Sequence, residues 1–311
     1  MIKTRLFAFA ATFAAVLASP AGAFALNVNE DYQPQDEFML DTWIPIEIFG
    51  IDMSINKAVV YVIAAALLSC VTLIYVGHRM KMKPGRLQAA VEMYYGLIES
   101  MTKGNLSGKM VNRWFPFLAT IFLFIWYSNM IGYIPLPTNT HEPIMIFGIE
   151  VPSLALYAAT ANISVPLVLT LVVVISYHFE GIRAKGPIKY LKGWVPAGVE
   201  GPAAFPIFLI EVISQFVRIV SLSVRLFANM LAGHLLILFM GGGLVVLLNL
   251  ALIGSLILGL VTGTMAVAFF IFEVGLVATL QAFIFTILAA IYLGGAVAEE
   301  HEGARTQWTS T

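Results

Sequence analysis

From residue 206 to residue 295 the chain is apolar almost without interruption, broken clearly only at Gly241-Gly242-Gly243. No water solvates the backbone at hydrocarbon depth, so such a run in a bilayer must satisfy its own N–H and C=O groups as helix. The pieces Pro206 to Met240 and Leu244 to Gly295 each exceed the ~20 residues of a perpendicular crossing. As one helix the second would run on the order of 78 Å, against a hydrocarbon core of about 30 Å. Strong tilt or a further break is required, and Gly254, Gly259 and Gly263 are candidate bends. Hydropathy alone leaves open one tilted pass or two upright ones.

Three earlier runs, 57 to 77, 115 to 134 and 158 to 178, are also long enough to cross. Composition agrees, with 59% hydrophobic and 11% charged residues and a mean hydropathy of +0.88, which excludes an ordinary soluble domain. An all-α membrane protein in a lipid bilayer is the expected fold class. A net charge of −1 says nothing about nucleic acid or acidic partners, and no nucleic acid is among the partners expected. The single cysteine, Cys70, excludes an internal disulfide framework. Inside its apolar run it reads as a small buried hydrophobe.

The start, MIKTRLFAFAATFAAVLASPAGAFA, carries Lys3 and Arg5, an apolar run from Leu6 to Leu17, and small residues up to Ala25. That pattern reads as a signal peptide over 1–25, although an uncleaved first transmembrane helix has the same features. Either way the chain from Leu26 begins outside the cytoplasm. Residues 26–56 then read as an exported segment with Glu30, Asp31, Asp36, Glu37 and Asp41, and 57–311 as one membrane domain without a fixed-period repeat.

Loop charge sets the orientation. Arg79, Lys81, Lys83, Arg86, Lys103, Lys109 and Arg113 lie between the first two spans, and Arg183, Lys185, Lys189 and Lys192 follow the third, whereas 135–157 has no Lys or Arg. The positive-inside rule makes both basic loops cytoplasmic. Within the first, Leu87, Val91, Tyr94, Ile98 and Met101 recur at helical spacing opposite Gln88, Glu92, Glu99 and Lys103. This is an amphipathic helix, suited to the membrane surface or to a docking partner.

Inside the long apolar stretch, Glu211, Arg218 and Arg225 are seven residues apart, which aligns them on nearly one helix face. Ser214, Ser221 and Asn229 fall close to it, and His234 projects from roughly the opposite side. An arginine at a helix centre costs roughly 2.5 to 3.5 kcal/mol on insertion scales, so something must compensate it. A structural ion pair of Glu211 with Arg218, with Arg225 snorkelling, is one solution. The other is a fixed positive charge facing a carboxylate that gains and loses protons, for which arginine is suited because it does not deprotonate.

The segment S-L-S-V-R-L-F-A-N-M-L-A-G-H, Ser221 to His234, resembles the signature of subunit a of F-type ATP synthases. Asn129-Met130-Ile131-Gly132-Tyr133-Ile134-Pro135 is similar to that family's N-x-x-G-x-x-P, Thr160-Ala161-Asn162-Ile163-Ser164 to its T-A-D-I-N, and Leu280-Gln281-Ala282-Phe283-Ile284-Phe285 to its L-Q-A-x-x-F. The matches come in order along most of the chain.

The resemblance implies a proton-translocating stator with about five transmembrane helices, the last two long and tilted as a hairpin against a ring of c subunits. It implies b-type peripheral stalk subunits and, through the stalk, a catalytic ATPase head. The chain itself would make no bonds and need no cofactor. Its C-terminus would be cytoplasmic, and the exported leader favours a bacterial plasma membrane.

Arg225 matches the family's arginine, which draws the proton from the c-ring carboxylate and blocks leakage between two aqueous half-channels. Gln281 matches the glutamine facing that arginine, and Asn229 the motif's asparagine. Glu211 stands where the family has an acidic residue lining a half-channel. His234 and Glu273 look like a proton-handling pair on the exterior side. Glu273 stands eight residues before Gln281 where the pattern has seven, so either Gly275 marks a local bulge or Glu273 points elsewhere. Asn162 and Ser164 replace the aspartate and asparagine of T-A-D-I-N and make that part of the water path less acidic.

The alternative is a secondary transporter whose buried Arg225 binds an anionic substrate; it calls for inverted repeats with helices broken at matching positions, and none are visible. A membrane enzyme would need nucleophiles, metal clusters or cofactor motifs that the sequence lacks. His78, His141, His178 and His301 are scattered and fit no metal site.

Overall fold

The computed structural model describes residues 40, 42–48, 51–52, 54–106, 108–134, 136–146, 149–155, 157–195, 204–240 and 252–297. The leader at 1–25, the segment around Gly241-Gly242-Gly243 and the C-terminal tail lie outside the described residues. Among the described residues, five helices are long and apolar enough to cross a membrane: Lys57–His78, Lys109–Gly132, Ser164–Lys185, Ala204–Leu238 and Leu256–Val297.

In chain order the elements are short strands β1 (Thr42–Ile44), β2 (Glu47–Ile48), β3 (Ile51–Asp52) and β4 (Ile55–Asn56), then helices α1 (Lys57–His78), α2 (Arg86–Asn105) and α3 (Lys109–Gly132). Strands β5 (Leu136–Ile146) and β6 (Ile149–Ala155), α4 (Ser164–Lys185), α5 (Pro187–Lys192), α6 (Ala204–Leu238), α7 (Leu252–Phe272) and α8 (Ala278–Val297) follow. A π-turn, Glu273–Val277, joins α7 to α8 without a break. From Leu252 to Val297 the last apolar piece is therefore one continuous helix, and Gly254, Gly259 and Gly263 sit inside its regular first part. At ~1.5 Å per residue it far exceeds a perpendicular crossing.

Two expectations need correction. The third span starts at Ser164 instead of 158, because Ala159–Ala161 form a 3-10 turn closed by Asn162 N–H to Ala159 O at 3.2 Å. Pro166 then falls in the first turn of α4, where the missing N–H leaves nothing unsatisfied. Cys70 is exposed, not buried. In α1 the apolar residues face outward, as Leu67 at 59% and Ile74 at 59% exposure illustrate, because acyl chains solvate them as well as a core would.

The chain divides into two compact units. The first comprises Met1–Ala66, Trp126–Asn162 and Phe227–Leu280. Strands β1 with β4, β2 with β3, and β5 with β6 pair antiparallel, the last in register from Leu136↔Ala155 to Ile146↔Ile149. These pairings satisfy the backbone of segments too short and irregular to form spans. Tyr133, Ile237 and Ala278 form its core with Met130, Phe269, Phe270 and Val274 packed on them. Tyr157 packs edge-on against Tyr61 at 5.5 Å, with the Lys57 ammonium 5.0 Å from its ring centre. Lys57 is the only Lys or Arg among the described residues of this unit.

The second unit comprises Leu67–Ile125, Ile163–Leu226 and Gln281–Thr311, and holds both basic loops. The amphipathic helix α2 turns Ile98, Met101 and Thr102 inward. It packs on α3 through Tyr94 against Phe122 at 5.3 Å and Tyr95 against Phe115 at 4.6 Å, and the Tyr94 hydroxyl donates to Ala119 O. Part of its apolar stripe is therefore covered by the chain itself, while Leu87 stays exposed. Burial pushes the Tyr94 phenol above its ordinary pKa. The exposed Lys103 ammonium is raised by its hydrogen bond to Glu99, 2.7 Å away. Glu180 on α4 is buried and pairs with Arg113 at 3.2 Å and Arg183 at 4.0 Å. Gly186 ends α4 at φ +80°, ψ 156°, a conformation essentially confined to glycine. Pro187 then opens α5 at a position where helices accept proline.

Candidate functional site

In the first unit the last turn of α3 leaves carbonyl oxygens without intrahelical donors, as every helix C-terminus does. One of them, Gly132 O, lies 3.1 Å from Nε2 of His234 on α6. The other ring nitrogen, Nδ1, lies 2.9 Å from Met230 O one turn back. Carbonyl oxygens only accept, so the doubly protonated ring satisfies both contacts and a neutral ring only one. His234 is 2% exposed, so the ring is shielded from water.

Tyr133 follows Gly132 directly. Its ring stacks on the His234 imidazole at 4.7 Å and 29°, and its hydroxyl donates to Glu273 Oε2 at 3.0 Å. The Glu273 carboxylate lies against Gly233, where a Cβ would stand 2.6 Å from the carboxyl carbon. Sequence reasoning paired His234 with Glu273. The two come together at this site, joined through Tyr133, and no ion pair links them directly among the described residues.

Tyr133 was missed, although it stands inside the quoted N-x-x-G-x-x-P segment. The available signal was a phenol beside that segment's glycine. The eight-residue spacing from Glu273 to Gln281 also has its explanation here, because Glu273–Val277 is a π-turn that takes up one extra residue. Of the two alternatives, the bulge is the one realised.

The buried motif residues around this cluster act as pins. Asn129 donates from Nδ2 to Ala278 O at 3.3 Å and accepts at Oδ1 from the Thr160 hydroxyl at 2.7 Å. Both are 0% exposed. Gly132 has Ala158 where its own Cβ would be. Asn162 is half-buried at the end of the 3-10 turn, and Ser164 is exposed at the start of α4.

In the second unit the polar stripe of α6 is linked up. Glu211 Oε1 accepts from Arg218 at 3.3 Å and from Gln215 Nε2 at 2.8 Å, and the Tyr177 hydroxyl donates to Gln215 Oε1 at 2.6 Å. The Arg218 guanidinium lies over the Tyr292 ring, 5.4 Å from its centre. Gln215 and Tyr177 also escaped the sequence reading, since an i+4 glutamine on an apolar helix carries no distinctive pattern. These side chains, with Lys185 and Trp194, line a cavity of about 410 Å³. The ion pair expected of Glu211 and Arg218 is present, and Arg225 stays outside it.

Arg225 is half-buried, and its one side-chain hydrogen bond among the described residues is to Ser221 Oγ at 3.4 Å. No carboxylate pairs with it among the described residues. Ser221, Val224, Ala228 and Asn229 around it are exposed. Gln281 is 4% exposed and does not hydrogen-bond to Arg225. No group of three His, Cys, Asp or Glu able to hold a metal occurs among the described residues.

Buried polar networks and an arginine without a carboxylate partner among the described residues, carried on helices long and apolar enough to span, mark a multi-pass membrane protein of the class that keeps functional charges within its membrane segments. Residues 58–294 match the family described as ATP synthase A chain. The chain is 34% identical over 277 residues to ATP synthase subunit a of Parvibaculum lavamentivorans, covering 86% of this chain and 94% of that one. It is equally identical over 270 residues to those of Brucella ovis and Brucella canis, with 86% and 98% covered. The chain belongs to the ATP synthase A chain family.

Proposed function

We propose that this chain is the proton-translocating stator subunit of an F-type ATP synthase, working against a ring of c subunits and tied by b-type stalk subunits to the catalytic head. The observation that carries the reading is Arg225, a guanidinium on an apolar helix with a single serine contact and an open face around it. Such a charge needs a compensating carboxylate. A ring carboxylate passing that face would supply it.

The mechanism follows from charge. Beside Arg225 the arriving carboxylic acid is favoured in its ionised form and releases its proton. The permanent cation also raises the energy of any proton moving past it, since like charges repel. Two half-channels then remain separate. The exterior one runs by His234 and Glu273, with Asn162 and Ser164 toward its mouth, and the cytoplasmic one opens by Glu211. Gln281 and Asn229 flank the arginine as polar neighbours. The chain makes no covalent bond itself, and ATP forms in the head. The membrane is the bacterial inner membrane, with the N-terminus outside, the C-terminus in the cytoplasm, and residues 1–25 removed after export.

Replacing Arg225 tests this in the complete complex. Arg225→Ala reduces proton-driven ATP synthesis in vesicles to background while ring and head still co-purify. Arg225→Lys also fails to couple normally, because a compact ammonium lacks the guanidinium fork and shifts its pKa more readily. Normal synthesis in Arg225→Ala vesicles sinks the reading. A chain that leaves detergent alone, without ring or head, favours the anion carrier.

A further inference from the structure

Three features of the first unit converge on one carboxylate. The π-turn sets the direction of Glu273, Gly233 leaves room for its carboxyl group, and the Tyr133 hydroxyl holds Oε2 at 3.0 Å. Each departs from what packing alone would select. A regular α-helix would continue where the π-turn interrupts it, and alanine suits a helix interior better than glycine. Phenylalanine would fill the space among Ile237, Ala278, Met130 and Phe269 as well as tyrosine does. A phenol in such a place needs a hydrogen-bond partner, and this one has a carboxylate.

We propose that Tyr133 is a positioning residue that holds the Glu273 carboxylate in register with His234, coupling the two through a stacked phenol instead of a direct bond. This rests on the reading of Glu273 as a proton-path group. His234 stacks on the ring face with both nitrogens on carbonyls, and the hydroxyl at the ring's far end reaches Glu273. His234 from α6, Tyr133 beyond α3 and Glu273 in the π-turn are the titratable groups that meet here. Among the described residues no other charged side chain acts on Tyr133 or Glu273, and the turn at Ala158 contributes only alanine against Gly132. A hydroxyl that donates to a carboxylate favours the ionised form.

The test uses the whole complex in vesicles and reads the pH profile of ATP-driven proton pumping. Tyr133→Phe keeps the ring on His234 and removes only the donor. The expected result is assembly with ring and head, slower pumping, and a profile displaced toward alkaline pH by about one unit. In a Glu273→Gln background the same replacement should displace nothing further, because its target is gone. A defective Glu273→Gln together with an unshifted Tyr133→Phe overturns the role of Tyr133 and leaves the path standing. Pumping by Glu273→Gln indistinguishable from the original overturns the path, and the proposal with it.

Discussion

Gly233 has a carboxylate where any other residue would put its Cβ. In Gly233→Ala the methyl would begin 2.6 Å from Cδ and Oε2 of Glu273, so the carboxylate must leave Tyr133 or the helix must shift. Overpacking of this kind costs about 1–3 kcal/mol. The expected outcome is a lower unfolding temperature of the purified complex together with impaired pumping. A methyl accepted with neither change would mean that the carboxylate has another position available. Thr160→Val makes a separate case, since it keeps the shape but leaves Asn129 Oδ1 without its 2.7 Å donor in a fully buried site. An orphaned buried acceptor costs about 1–3 kcal/mol, to be read as lost thermal stability with the pumping profile unmoved. The sequence offered Asn129 and Thr160 only as letters of two motifs. Their bond was not legible because 31 residues separate them, and periodicity within one element says nothing about a partner on another.

Among the elements, helix existence was plain from apolar length while helix phase was not. The runs at 57, 115 and 206 became α1, α3 and α6, since about 20 apolar residues in a bilayer have no other way to satisfy their backbone. The third run misled because Tyr157 to Ile163 carries no charge and three alanines, and hydropathy does not distinguish a buried 3-10 turn from the start of a span. The stripe Glu211, Arg218, Arg225 was readable as a face, but its linking residues Gln215 and Tyr177 were not. Phase matters most at the π-turn. Deleting Gly275 brings Glu273 to seven residues before Gln281 and lets α7 run into α8 as regular helix. One residue is about 100° on a helix, so Glu273 turns away from Tyr133 relative to Gln281. The variant should have an unbroken helix and poorer pumping, measured in the same vesicles. Faster pumping after the deletion would mean that the π-turn is a tolerated insertion with no part in aiming Glu273.

For the whole molecule, the distribution of Lys and Arg carries the orientation. The basic residues of both long loops fall in the second unit, and the first holds Lys57 alone among its described residues. Loop charge of that kind sets topology, with the basic side retained in the cytoplasm. A residue of a basic loop and a residue ahead of the first span should therefore be reachable from opposite faces of the membrane. Lys189 and Thr42 are both exposed and serve as reporters. In a Cys70→Ser background, a membrane-impermeant maleimide should label Lys189→Cys in inverted vesicles only, and Thr42→Cys in right-side-out vesicles only. The native Cys70 has to be removed because it is exposed on α1. An intact mass of the same protein lacking residues 1–25 would agree with an N-terminus delivered across the membrane by a cleaved leader. Labelling of both positions from one side, or a retained leader with Thr42→Cys reached from the cytoplasm, would invert the topology. The half-channel by His234 and Glu273 would then open to the wrong compartment for proton entry during synthesis.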